Sequence, residues 1–181
     1  MRLPTLISGH QADGSPATGH EHLHYLFDRP RQRVLLLASA GPSNVDTLAQ
    51  LRTALQGFHH LKAGAAGVLE LRPLAFDAKS DPLLGRSAIW QSQTPYVVNH
   101  HRRLGSAYAA VTADLEAVCR YEGLPAVEVR VLRCGSGSRG LTAFAELSFA
   151  EELDGPLVIG QTRHLGGGLF ERRPAQVVST S

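Results

Sequence analysis

The sequence predicts an α+β fold, and three observations predict it. Two stretches carry apolar residues at spacings of three and four, the period of a helix packed on one side. The runs between them are short and β-branched, and they alternate or stay continuously apolar, as strands do. From residue 33 to 133 these elements come in the order strand, helix, strand, strand, helix, strand.

Residues 1–19 carry Gly9, Gly14, Pro16 and Gly19 with little periodicity and read as an irregular entry segment. His22-Leu23-His24-Tyr25-Leu26-Phe27 is a strand pattern, residues 28–31 a turn, and Val34-Leu35-Leu36-Leu37-Ala38 a buried strand. The two strands can pair as a hairpin. Ser43 or Asn44 caps the first helix, whose apolar side is Val45, Leu48, Leu51, Leu55 and Phe58. Gly57 and Gly64 end it, and His59 and His60 fall at that end, where a cation meets the negative pole of the helix dipole. Val68-Leu69-Glu70-Leu71-Arg72 is a strand stopped by Pro73, followed by a polar connection over 75–87. Residues 89–98 are extended, and Pro95 implies an edge or a bulge.

Gly105 and Ser106 open the second helix, with Tyr108, Val111, Leu115 and Val118 on one side and Gly123 and Pro125 as its stop. Val127, Val129 and Val131 then alternate with Glu128, Arg130 and Arg133. Residues 134–140 read as a flexible loop and 142–149 as a further strand. The order over 33–133 is that of the ferredoxin-like βαββαβ unit, with extra strands flanking it inside a single domain spanning 1–181. Fold alone names no function, because this one hosts many.

The chain has 181 residues, 43% of them hydrophobic and 19% charged, which fits a globular domain with a real core. The net charge is +2, and the only lysines are Lys62 and Lys79, so the basic side is almost all arginine. Arginine forks suit phosphate. Cys119 and Cys134 are the only cysteines and read as reduced thiols of an intracellular protein. No signal sequence and no apolar stretch of membrane-spanning length is evident, so a soluble cytoplasmic protein is expected.

The densest chemistry lies in the glycine-rich stretch over 160–173. Leu157-Val158-Ile159 leads into it, and Gly166, Gly167 and Gly168 are consecutive. Glycines let a backbone pass close to another group, and free N–H groups in such a turn form an anion-binding nest. Arg163, His164, Arg172 and Arg173 bracket the glycines with cationic or protonatable groups that suit a phosphate backbone. The plainer alternative is a surface turn.

Nine histidines add a second signal. His10, His20, His22 and His24 crowd the first 24 residues, and His100 and His101 precede Arg102 and Arg103. Histidine and arginine together support three readings. The first is metal-free RNA cleavage: one histidine takes the proton of a ribose 2′-OH, a second group protonates the leaving oxygen, and arginines hold the phosphorane charge. The second is a metal held by His20, His22 and His24, with Glu21. The third makes each histidine a surface or packing residue.

Four stretches together carry a resemblance. They are residues 8–14 with His20-Glu21-His22-Leu23-His24-Tyr25-Leu26; Trp90 through Thr94-Pro95-Tyr96-Val97-Val98 to His101-Arg102-Arg103; Glu122-Gly123-Leu124-Pro125; and Leu147-Ser148-Phe149 through Gly155-Pro156-Leu157 to Arg163-His164-Leu165-Gly166-Gly167-Gly168-Leu169-Phe170. Their order and content resemble the repeat-processing endoribonuclease part of CRISPR proteins in the RAMP superfamily. The likeness is nearest to the C-terminal half of the type I-G (formerly I-U) fusion protein. Where the family usually has Gly-Leu-Gly, this chain has three glycines, and the fusion's N-terminal half has no counterpart here.

The resemblance implies RAMP-type, RRM-like ferredoxin domains, and a glycine-rich loop that contacts RNA. It implies cleavage of CRISPR precursor RNA without cofactor or metal, leaving a 2′,3′-cyclic phosphate. It also implies retention of the guide RNA beside other subunits of a type I effector complex. Residue by residue, it matches His10, His22 or His20, and His101 to the family's histidines, and Arg163 and Gly166 to Gly168 to its glycine-rich loop. Together with the basic residues read above, this makes His10, His22 and His101 the catalytic candidates, and Arg102, Arg103, Arg163, His164, Gly166, Gly167, Gly168, Arg172 and Arg173 the candidate RNA contacts. A non-catalytic RNA-binding subunit on the same fold is the alternative. A phosphoesterase with two histidine motifs fits less well, because His22-Leu23-His24 and His164-Leu165-Gly166 lack its His-x-Thr or His-x-Ser pattern.

Overall fold

The computed structural model describes residues 11, 13–16, 24–37, 45–62, 67–99, 105–163 and 166–173. The chain is α+β, with two helices among these residues and sheets whose ladders are antiparallel. It divides into two compact units, Met1–Ala75 and Phe76–Ser181.

In the first unit, β1 (His24–Asp28) and β2 (Arg33–Leu37) form the expected hairpin, with Leu26 opposite Leu35 and both buried. Its turn closes through N–H bonds from Arg31 to the Asp28 carbonyl and from Gln32 to the Arg29 carbonyl, both 3.2 Å. The Asp28 carboxylate is fully buried at the hairpin's end. It accepts from Arg33 Nε at 2.7 Å and from Arg31 at 3.1 Å, which is how a buried charge is tolerated. Helix α1 (Val45–Gln56) buries Ala54 with Leu36, Leu51 and Leu55 around it, so Leu51 and Leu55 of the predicted apolar stripe meet β2.

One reading needs correction here. His59 and His60 do not fall at the end of α1, which stops at Gln56. His60 instead opens β3 (His60–Lys62), paired antiparallel with β4 (Val68–Glu70), and both histidines are exposed. Phe58 donates its N–H to the Leu55 carbonyl at 3.0 Å, and this turn after Gly57 frees the next residues to extend.

The second unit contains β5 (Arg86–Ser92), β6 (Tyr96–Val97), α2 (Ala107–Tyr121), β7 (Val127–Gly137), β8 (Gly140–Asp154), β9 (Leu157–Val158) and β10 (Leu169–Arg172). The sheet runs β7-β8-β5-β10-β9, and β6 continues β5 along the same edge of β8 after a break at residues 93–95. Pro95 sits in that break, as expected. Strands β5 and β7 both run antiparallel to β8, hence parallel to each other, with α2 in the connection between them.

Helix α2 begins at Ser106, whose hydroxyl accepts the Ala109 N–H at 3.1 Å. It ends in a glycine-terminated turn: Gly123 (φ 72°) donates to the Arg120 carbonyl and Leu124 to the Cys119 carbonyl. Its buried side holds Ala110, Val111, Asp114, Leu115, Val118 and Cys119. These pack with Leu141, Ala143, Ala145, Leu147 and Phe149 of β8, with Trp90 and with Phe170.

The loop expected over 134–140 is also corrected. Strand β7 runs through Gly137, and Cys134 to Gly137 pair with Ala143 to Gly140 across a two-residue turn. Glycine and serine mimic loop composition there, but the ladder extends and Gly140 takes the turn's positive φ of 109°. The elements expected to share one sheet over 33–133 lie in separate ladders: β2 pairs with β1, β4 with β3, and β5 with β8 and β10. Within the polar connection, Asp81 and Leu83 are buried, and Asp81 accepts the Leu83 N–H at 2.8 Å.

Removing the Asp28 carboxylate takes the 2.7 Å ion pair away from Arg33, whose side chain is only 8% exposed. Asp28→Ala should destabilise the hairpin unit by roughly 3 kcal/mol. Urea unfolding followed by circular dichroism checks this, and a loss under about 1 kcal/mol would make the pair ornamental.

Candidate functional site

The glycine stretch joins β9 to β10, and its backbone is closed by its own hydrogen bonds. Ile159 donates its N–H to the Gly168 carbonyl at 3.0 Å, sealing the base of the turn. The Gly168 N–H donates to the Pro95 carbonyl and the Gly167 N–H to the Thr162 carbonyl, both at 3.0 Å. The Gly166 N–H donates to the Arg163 carbonyl at 3.3 Å. The Leu169 N–H reaches the Thr94 hydroxyl at 3.0 Å.

The nest reading is thereby corrected: all three glycine N–H groups are committed to the chain's own carbonyls. Close approach, the other reason to expect glycine, is present. Gly168 has φ 65°, and a Cβ there would run into the Ile159 carbonyl. At Gly167 a Cβ would strike the Thr162 side chain, whereas Gly166 faces open space.

Tyr96 ties this turn to α2. Its ring stands where a Cβ on Gly160 would lie, 2.6 Å away. Its hydroxyl donates to Asp114 Oδ2 at 2.6 Å inside the core, and the Asn99 N–H donates to the same oxygen at 2.8 Å. Burial first, then the Asp114 hydrogen bond and charge, push the Tyr96 phenol well above its ordinary range. Asn99 is the last described residue before the His100-His101-Arg102-Arg103 cluster.

The three described arginines of the predicted site each have a partner. Arg163 donates to Glu122 Oε1 at 2.6 Å at the end of α2. Arg172 donates to the Ser80 carbonyl, and its N–H reaches the Pro82 carbonyl at 2.8 Å. Arg173 donates to Glu146 Oε2 at 2.8 Å, while Arg130 from β7 takes Oε1 of the same carboxylate at 3.0 and 2.5 Å. Glu146 therefore sits, 8% exposed, between two guanidinium groups on the sheet face opposite α2. On that face Arg133 also lies over the Phe144 ring, 3.9 Å from its centroid. The alternation of valine with Glu128, Arg130 and Arg133 could have flagged this row, because it marks β7 as half-buried with a charged outer side.

His10, His20, His22, His100, His101, Arg102, Arg103 and His164 lie outside the described residues. So does the side chain of His24. Among the described residues, no group of three or more His, Cys, Asp or Glu is placed to hold a metal ion, and no helix is long and apolar enough to cross a membrane. Cys119 and Cys134 are unbridged. Burial, followed by the charges of Glu116 and Glu122, pushes the Cys119 thiol up to about 11.

Comparison with known proteins gives no match to a family model, to a curated protein or to a solved structure.

Two outcomes are expected. Gly168→Ala should cost roughly 3 kcal/mol in a urea titration, from left-handed strain plus the carbonyl clash, while Gly166→Ala should cost about 1 kcal/mol. Equal losses would mean that the turn is not packed as described. Second, the folded chain keeps the Cys119 proton to about 11, above the ordinary value of 9.0 that the unfolded chain has. The unfolded state thus sheds it first, and stability should fall as pH rises through that window. Cys119→Ala should flatten that part of the profile in pH-dependent thermal melts.

Proposed function

We propose that the chain binds CRISPR repeat RNA and cleaves it without a metal, as an endoribonuclease of RAMP type. Support comes first from topology. A ferredoxin-like sheet needs a split βαβ unit, two parallel strands with another strand between them. Strands β5 and β7 around β8 have that relation, with β10 on the far side of β5. On this reading the ferredoxin-like unit spans 86–172, and β9 with the glycine turn fills the place of its second helix.

The observation that carries the proposal is the link through Tyr96. One side chain joins the turn that bears Arg163 to the Asp114 carboxylate that also fixes Asn99, the lead into His100-His101-Arg102-Arg103. Asn99 and Arg163, more than 50 residues apart, are thereby tied to one short strand, and the basic run over 100–103 follows Asn99 directly in the chain. A ribose-phosphate strand gripped there would meet arginine and imidazole together. Phosphate contact at the turn would come from the Arg163 side chain, since the glycine N–H groups are committed.

The proposed chemistry is in-line transesterification. His22 or His10 takes the 2′-OH proton, the 2′-oxygen attacks phosphorus, and the bond to the 5′-oxygen breaks. His101 or His164 gives that oxygen a proton, leaving a 2′,3′-cyclic phosphate and a 5′-OH. Arg102, Arg103 and Arg163 balance the charge on the phosphorane. The partners that follow are repeat RNA, the mature guide and the other subunits of a type I complex, in the cytoplasm.

The test is repeat RNA incubated in EDTA, with product ends mapped. The expected result is cleavage to a cyclic phosphate, abolished by a single 2′-deoxy sugar at the cut while binding persists. Cleavage of the deoxy substrate rejects the mechanism. Salt-sensitive binding without product at any pH assigns the chain to the non-catalytic RNA-binding alternative instead.

A further inference from the structure

We infer that Glu122 is a latch on Arg163, a carboxylate that occupies the turn's guanidinium until an RNA phosphate displaces it. The inference rests on the RNA-binding reading of the glycine turn. Three observations lead to it.

First, only the side chain of Arg163 is left to move. Its N–H donates to the Gly160 carbonyl and its own carbonyl accepts the Gly166 N–H, both at 3.3 Å. The backbone is pinned on both sides, so a change of partner means a swing of the guanidinium.

Second, the present partner is weakly held. The side chains of Arg163 and Glu122 are 41% and 33% exposed. Ion pairs at that exposure are worth about 1 kcal/mol or less. A phosphate offers the same fork a charge-assisted bond of equal or greater strength. The other two arginines near the turn differ. Arg172 is tied to a backbone carbonyl, and Arg173 shares a buried carboxylate with Arg130. The first of these partners is main chain and the second is buried in the sheet, whereas Glu122 is a side chain at a helix end.

Third, Glu122 stands where helix electrostatics disfavour it. It is the C-cap of α2, beside the negative pole of the dipole, and its N–H is fixed on the Val118 carbonyl at 2.9 Å. Arg163 offsets that repulsion from 41 residues away in sequence. When the guanidinium leaves, the carboxylate stays behind and draws it back. Glu122 thus lowers RNA affinity and hastens release, and neutralising it should leave the fold intact.

The experiment measures fluorescence anisotropy of labelled repeat RNA against the full chain and four variants with native circular dichroism. These are Glu122→Gln, Arg163→Gln, the double variant, and Glu152→Gln as a control for loss of an exposed charge on β8. Glu122→Gln should bind about 3-fold more tightly, the size of one exposed pair. Arg163→Gln should bind more weakly, with a salt slope shallower by about 0.7, one phosphate contact on a single strand. In the double variant the gain from Glu122→Gln should vanish. If the parent chain binds RNA but Glu122→Gln gains no more than Glu152→Gln, or binds more weakly, the latch is wrong while the RNA reading stands. If the gain persists without Arg163, the latch is also wrong. If the parent chain binds no repeat RNA at low salt, both fall together.

Discussion

The buried hydrogen bond from Tyr96 to Asp114 is the constraint on which the second unit depends. A carboxylate 6% exposed in an apolar core is expensive unless it is saturated with donors. Asp114 receives the Tyr96 hydroxyl and the Asn99 N–H on one oxygen. The hydroxyl comes from β6, just after the Pro95 break, and the N–H from Asn99, two residues beyond it, so α2 fixes where that segment lies on β8. The Tyr96 ring then leaves room only for glycine at position 160. From there the path continues: Ile159 bonds to Gly168, and Gly168 bonds to Pro95, one residue before Tyr96. The turn, the strand break and the helix close on one another through these contacts.

Charge on the outer sheet face is organised around a single acid. Glu146 on β8 is the meeting point of Arg130 from β7 and Arg173 beyond β10. Two guanidinium groups on one carboxylate leave an excess positive charge there. Arg133 adds another guanidinium nearby in the chain, stacked on Phe144. With Glu128 and Glu171 on the same side of their strands, the face is mixed in sign and not uniformly basic. A chain of net charge +2 has no strong long-range field to steer RNA. Any grip on phosphate has to be local, made by particular arginines, and this is why the partner each one already holds matters.

Periodicity made much of the fold legible. The stripe Leu51, Leu55 and the row Val111, Leu115, Val118 name the buried sides of both helices, and Ser106 names the start of α2. The hairpin of β1 and β2 was equally plain. Two strands escaped for physical reasons. His60-Leu61-Lys62 follows a helix so closely that its residues read as a helix end, and β3 exists only because β4 returns to pair with it. The end of β7 is glycine and serine, which carry no apolar alternation, so only the partner β8 reveals it. Of the site, the glycines and Arg163 could be picked from composition. Glu122 and Glu146 could not, since their roles come from pairings 41 and 27 residues distant in sequence.

The three glycines do unequal work, and that bears on how such a turn can hold an anion. A nest needs successive N–H groups pointing at empty space. Here they point at Arg163, Thr162 and Pro95 carbonyls. Gly168 is required by the Ile159 carbonyl, Gly167 by the Thr162 side chain, and Gly166 by its φ of 81° alone. A leucine at 167 would have to push Thr162 aside, and Thr162 is 8% exposed. This turn is therefore drawn tighter against β6 than a leucine-bearing one could be. Tightness turns the backbone donors inward and leaves the half-exposed guanidinium of Arg163 as the turn's outward cation among the described residues. On the RNA-binding proposal, recognition at this turn reduces to one side chain and to the carboxylate paired with it.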